Sequence, residues 1–197
     1  MVDHWSARDG AYFAHRQIAG STASIIIGDS ITEGFWWNTI GPERIVNAGY
    51  GGINASQMLL RVSTLNLNSV SRKAIVLLGT NDAVPDITSE QIAQFASSMN
   101  SLVANLKNRG TSVFVASIPP IEPNKSLSSL RSQESVDILN STIVYNICPS
   151  NNAPLINLNI FMDMTTRVGK IGYTRDGIHP TRETYITLYN LYNDTIN

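Results

Sequence analysis

Short, continuously apolar runs alternate with longer stretches of helical spacing along this chain, and that alternation constrains the fold more than any other feature. Residues 24–28, 44–47, 74–78, 112–117 and 155–158 read as five strands, and most of them are apolar throughout. A strand that faces water on one side alternates polar and apolar residues. A strand with no alternation has both faces covered, as a parallel sheet with helices on either side requires. Helical candidates lie between the runs at 55–65, 89–108 and 132–147, and a last one at 182–193. The Thr88-Ser89-Glu90-Gln91 segment supplies a helix cap with an amide close behind it. Residues 6–18 carry apolar and aromatic side chains at near-helical spacing, so residues 1–20 are expected to form a lead-in helix packed on the rest. The expectation is one domain over 1–197, a three-layer α/β/α sandwich around a central five-stranded parallel sheet.

Size and charge narrow what such a domain does. With 197 residues, 43% of them hydrophobic, the chain can bury one core but not two comfortable ones. A formal net charge of -1, with Lys and Arg dispersed, leaves no electrostatic footprint for nucleic acid or an anionic membrane. The longest apolar runs fall far short of the roughly 20 residues that span a bilayer, so no integral membrane segment is expected. The first ten residues lack the basic flank and apolar stretch of a secretory signal; as written the chain reads as cytoplasmic, or as secreted or periplasmic if a signal has been removed. Cys148 is the only cysteine, which excludes an intrachain disulfide and a cysteine-based metal cluster, and it reads as a packed small side chain.

In sheets of this kind ligands bind beyond the carboxyl ends of the strands. Four groups of chemically capable residues fall there. Asp29 and Ser30 follow the first run, and Asn47-Ala48-Gly49-Tyr50-Gly51-Gly52 follows the second. Gly79-Thr80-Asn81-Asp82 follows the third, and Asp176-Gly177-Ile178-His179-Pro180 follows the fifth through a longer connection. A hydroxyl is a poor nucleophile until an imidazole takes its proton, and an imidazole works best when a carboxylate fixes its tautomer. Ser30, His179 and Asp176 supply those three groups, and a three-residue spacing lets the carboxylate reach the nearer ring nitrogen through a local turn.

Taken together and in this order, the four groups resemble the blocks of the SGNH hydrolases, also called GDSL esterases and lipases. Gly28-Asp29-Ser30-Ile31-Thr32-Glu33-Gly34 is similar to the first block, with Ser30 as the nucleophile. The resemblance runs from Gly28 to Pro180 and implies a flavodoxin-like fold and acyl transfer to water through a covalent acyl-enzyme. It also implies an oxyanion hole made by the Ser30 amide, a glycine amide of the second block and the Asn81 side chain. Gly52 is the expected glycine, with Gly51 as the alternative. No metal or organic cofactor is implied.

Plainer readings exist for each residue. Ser30 could cap the helix that follows it, Asn81 could bond its own turn, and the glycines could serve backbone conformation alone. Asp29 and Asp82 are read as ordering their turns. Trp36 and Trp37 are candidates for the substrate pocket, although large aromatics are more often core. A short chain leaves few residues for a lid, so a shallow site taking short acyl groups, acetyl esters first, is expected, on an acetylated carbohydrate or another small ester. Acyl thioesterase or lysophospholipase activity on the same machinery is the alternative, and a non-catalytic flavodoxin-like binding module is the alternative from a different class. Against the last, there is no Gly-rich phosphate loop after the first run, and Asp29 stands where an anion would sit.

Overall fold

Helix caps and apolar runs together set the elements in a computed structural model that describes residues 3–20, 22–65 and 72–197. The first two residues of the single-domain span, which are also the first two of the expected lead-in helix, therefore lie outside the described residues. In chain order the elements are α1 (His4–Ala19), β1 (Ser24–Gly28), α2 (Ser30–Glu33), β2 (Thr39–Ile40), β3 (Glu43–Gly49), α3 (Ala55–Thr64), β4 (Lys73–Leu77) and α4 (Ser89–Lys107). They continue with β5 (Ser112–Ala116), α5 (Gln133–Thr142), α6 (Cys148–Asn151), β6 (Leu155–Ile156) and α7 (Arg182–Ile196). The start of α3 is fixed by a capping box of Asn54 and Gln57, and that of α4 by one of Thr88 and Gln91.

The sheet order is β2-β3-β1-β4-β5-β6. All pairings among β3, β1, β4, β5 and β6 are parallel. The winding reverses at β1, which has β3 on one side and β4 on the other, so the crevice expected at a switch point opens where these strands end. Register makes those ends level: Gly28 pairs with Gly49 on one side and with Leu77 on the other.

Two apolar layers cover the sheet. On one face Ile25 and Ile27 pack with Met58 and Val62 of α3, with Phe95, Met99, Leu102, Val103 and Leu106 of α4, and with Val136 and Leu139 of α5. The α4 residues recur at helical spacing, so one stripe of the helix is buried. On the other face Ile26 packs with Ile31, Phe35, Phe161 and the α7 residues Tyr185, Leu188, Tyr192 and Ile196. Each such side chain stabilises the fold by about 1.5–3 kcal/mol relative to exposure.

The structure departs from the sequence expectation in three places. Among the described residues the sheet has six strands rather than five, because Thr39–Ile40 adds an antiparallel edge to β3 across a turn in which Gly41 has φ 55°. Two residues are too few to show any periodicity. The helix expected over 132–147 continues to Asn151 and contains a wider π-helical turn at Ile143–Ile147. Pro149 explains it: proline has no N–H for the Tyr145 carbonyl and its ring crowds that oxygen, so the preceding turn opens. The last strand is shorter than expected, since Leu158 donates its amide to Ser117 Oγ at 2.8 Å and leaves the ladder. Among the described residues no helix is long and apolar enough to cross a membrane.

Candidate active site

Glycine at the end of β1 permits the geometry of the first block. A Cβ on Gly28 would lie 2.0 Å from Thr32 Oγ1 and 2.4 Å from the Leu77 carbonyl oxygen, so only glycine lets α2 fold back against the strand ends. Asp29 caps α2, with its Oδ1 accepting the Ile31 amide at 2.9 Å. Ser30 is therefore not the cap. Its Oγ lies 2.8 Å from His179 Nε2, a residue 149 positions later in the chain.

The loop that brings His179 there is held by a buried carboxylate. Glu122, 1% exposed, accepts the Gly172 amide at 2.6 Å, the Thr174 amide at 2.8 Å and the Thr174 hydroxyl at 2.6 Å. Lys125 Nζ pairs with it at 3.0 Å. Burial raises the Glu122 pKa, but these donors more than offset it and the net direction is down. The Thr174 hydroxyl in turn accepts the Gly177 amide at 2.9 Å, and Gly177 turns the chain with φ 106°. Asp176 then folds back on its own segment. Its Oδ1 accepts the Ile178 and His179 amides at 3.1 and 2.8 Å, and its Oδ2 lies 2.7 Å from His179 Nδ1. Burial raises the Asp176 pKa, but the hydrogen bonds from the His179 backbone and ring and from the Ile178 backbone outweigh it, so the carboxyl titrates below its ordinary value.

The second block follows β3. The Gly51 amide donates to Glu33 Oε2 at 2.6 Å and is thereby occupied. The Gly52 amide finds no acceptor among the described residues, and Gly52 has φ 76°. In the third block Asn81 Nδ2 donates to the Ile53 carbonyl at 2.9 Å, which joins this block to the second. Arg131 donates to Asn81 Oδ1, which fixes which end of the amide is nitrogen.

Two more carboxylates lie beneath the site. Asp29 is fully buried, and burial pushes its pKa up to about 6 despite the Ile31 amide. Its Oδ2 has the Thr80 hydroxyl beside it without a full hydrogen bond. Burial, and secondarily the neighbouring Asp29 charge, pushes Asp82 up to about 6 as well, while the Ala55 amide at 3.1 Å opposes the rise.

The two tryptophans separate. Trp37 packs against the α7-side core, with ring centroids 5.0 Å from Phe35 and 5.2 Å from Tyr189. Trp36 stacks on it at 4.5 Å and is 56% exposed. Cys148 is buried, and burial pushes its thiol pKa up. A polar recess of about 170 Å³ adjoins Asn81, lined also by Asn54, Ser56, Gln91 and Gln94.

Sequence reasoning misses Glu122, Arg131, Glu33 and Trp5, whose Nε1 donates to the Gly51 carbonyl at 2.9 Å. Each acts through a partner distant in sequence, and only the position of Glu33 inside the first block and of Arg131 in the polar stretch before α5 offers a hint.

The profile of the GDSL-like lipase/acylhydrolase family matches residues 26–185, a span that contains all four blocks. No match is found among functionally curated proteins. Among solved structures, a GDSL-like lipase from Bacteroides thetaiotaomicron is similar with a TM-score of 0.79 and 20% identity, covering 96% of this chain and 97% of that one. A lipase/acylhydrolase from Enterococcus faecalis aligns with a TM-score of 0.72 and 22% identity over 89% of this chain and 95% of its own. An acetyl xylan esterase aligns with a TM-score of 0.72 and 17% identity over 89% of this chain and all of its own. At these identities the structural likeness shows the fold, a mostly parallel α/β sandwich, while the profile match identifies the chemistry. The chain belongs to the GDSL-like lipase/acylhydrolase family and is an ester-bond hydrolase.

Proposed function

We propose that this hydrolase is a serine esterase that releases short acyl groups, acetyl first among them, through a covalent intermediate on Ser30. The observation that carries the reading is the unbroken chain from Ser30 Oγ to His179 Nε2 at 2.8 Å and from His179 Nδ1 to Asp176 Oδ2 at 2.7 Å. Asp29 takes the capping role, which leaves the Ser30 hydroxyl to the imidazole.

In the first half-reaction Ser30 Oγ attacks the ester carbonyl and His179 Nε2 takes the hydroxyl proton. The carbonyl π pair moves onto oxygen. When the tetrahedral intermediate collapses, the bond to the alcohol oxygen breaks, and the imidazolium gives its proton to that oxygen. Water then repeats the sequence on the acyl-enzyme and returns Ser30. Asp176 carries negative charge throughout and stabilises the imidazolium formed in each half.

The transient oxyanion would be met by the amides of Ser30 and Gly52 and by the second N–H of Asn81. Gly52 is preferred to Gly51 because the Gly51 amide is already bound to Glu33. Each donor is worth about 3 kcal/mol in the transition state. The short-acyl reading is supported by the small recess beside Asn81 and by the fold shared with an acetyl xylan esterase. Its side-chain amides, the Ser56 hydroxyl and the Asp82 carboxylate offer hydrogen bonds to a hydroxyl-bearing substrate, beside the apolar Val84 and Phe95. Trp36 is the tryptophan available to such a substrate, since Trp37 is committed to the core. A thioester differs only in its leaving group.

Replacing Ser30 by Ala should reduce hydrolysis of p-nitrophenyl acetate by about 10⁴-fold or more with the fold retained. Turnover at the parental rate would reject the assignment. Across p-nitrophenyl esters of increasing length, rates should fall beyond about four carbons, because few residues are left to build a lid over a long acyl group. An optimum at long chains would favour a lysophospholipase, and acyl thioesters assayed alongside would rank the remaining alternative.

A further inference from the structure

We propose that Trp5 of α1 holds the Gly51–Gly52 peptide in the orientation that presents the Gly52 amide to the reacting carbonyl, which makes the lead-in helix a positioning element of the oxyanion hole. The proposal rests on the assignment of Gly52 as a donor.

Residues Tyr50 to Ile53 form a turn closed by the Ile53 amide on the Tyr50 carbonyl at 3.2 Å. Gly52, in its third position, has φ 76°, the conformation of a type II turn. Types I and II differ by a half-rotation of the central peptide, here the one between Gly51 and Gly52. In most sequences side chains choose between them, but two glycines make both forms accessible. The local sequence therefore does not decide which way the Gly52 N–H points.

Contacts from outside the turn decide it. Trp5 Nε1 donates to the Gly51 carbonyl oxygen at 2.9 Å. No cis peptide occurs among the described residues, so the Gly52 N–H points opposite to that oxygen, away from Trp5. Glu33 Oε2 holds the N–H of the preceding peptide at 2.6 Å, so both peptides flanking Gly51 are fixed. His4 Nε2, also on α1, lies 3.0 Å from the same carboxylate oxygen. The indole is itself held: the Arg61 guanidinium sits 5.2 Å from its ring centroid, and Arg61 pairs with Asp9 of α1 at 3.3 Å. Donation to a peptide carbonyl also polarises that amide and strengthens its N–H as a donor.

Trp5→Phe keeps an aromatic ring under Arg61 and deletes only the donor. With competent sites counted by an active-site-directed phosphonate, so that unfolded chains do not register, kcat on p-nitrophenyl acetate should fall roughly tenfold with KM within about twofold. Affinity for a trifluoromethyl ketone, whose adduct carries the oxyanion, should fall by a similar factor. Trp5→benzothienylalanine, which replaces the N–H by sulfur in the same ring shape, should reproduce both effects if the Phe variant folds poorly. An unchanged kcat per titrated site would overturn the proposal, and so would a fall in kcat with unchanged ketone affinity. Failure of Ser30→Ala to abolish turnover would instead reject the underlying mechanism, so the two are told apart.

Discussion

The guanidinium of Arg131 donates to Oδ1 of Asn81 across 50 residues of sequence, and this contact settles the orientation of the Asn81 amide. With the oxygen end held, Nδ2 gives one N–H to the Ile53 carbonyl and keeps its second for the substrate in the proposed mechanism. Arg131→Met, which keeps much of the length and loses the donors, should let the amide rotate. The expected result is a fall in kcat of about tenfold or more with a small change in KM, measured on p-nitrophenyl acetate. An equal rise in KM with constant kcat would instead place Arg131 in ground-state binding.

Asp29 links the site to the pH dependence of stability. Burial raises its pKa from an ordinary carboxylate value of 3.8 to about 6 in the folded chain. A group raised in the folded state stabilises the fold fully below its unfolded pKa, and that contribution is lost as pH rises through the folded one. Stability should therefore decline between about pH 4 and pH 6 by an amount on the order of 3 kcal/mol from this group. Asp29→Asn can still accept the Ile31 amide and does not ionise, so thermal melts of the variant across this window should show a smaller decline. A decline equal to that of the parent chain would assign it to other groups, Asp82 foremost.

Glu122 tests how far the histidine depends on its scaffold. Glu122→Ala leaves three donors and the Lys125 ammonium without their buried acceptor and should cost about 3–5 kcal/mol of stability. Denaturant unfolding measures it directly. Activity per folded molecule should fall too, because Gly172 and Thr174, which lead into the segment that carries His179, are tied to this carboxylate; a loss of stability with full specific activity would show that the backbone bonds between Gly177 and Glu122 and between Asp176 and Leu127 hold the loop without it.

The parallel core is legible in the sequence because β1, β4 and β5 are buried on both faces and carry apolar side chains without alternation. The edge strand β2 is not, since two residues show no period. The widened turn before Pro149 is legible only in hindsight, because it depends on which carbonyl the proline fails to serve. At the candidate site, the meeting of Ser30, Asp176 and His179 is legible because an activated hydroxyl needs those side-chain types and Asp176 and His179 sit three apart in one turn. Trp5, Glu33, Glu122 and Arg131 act by holding backbone or amide groups that lie elsewhere in the chain. A tryptophan or glutamate in such a role has no local signature, and only the folded arrangement reveals which carbonyl or amide it serves.

Ser30 as the nucleophile is tested by stoichiometric labelling with a p-nitrophenyl alkylphosphonate. The expected result is release of one p-nitrophenol per chain, complete loss of esterase activity, and the phosphonyl group on the peptide that contains Ser30. Label on another residue, or esterase activity persisting after Ser30 is fully modified, would contradict it.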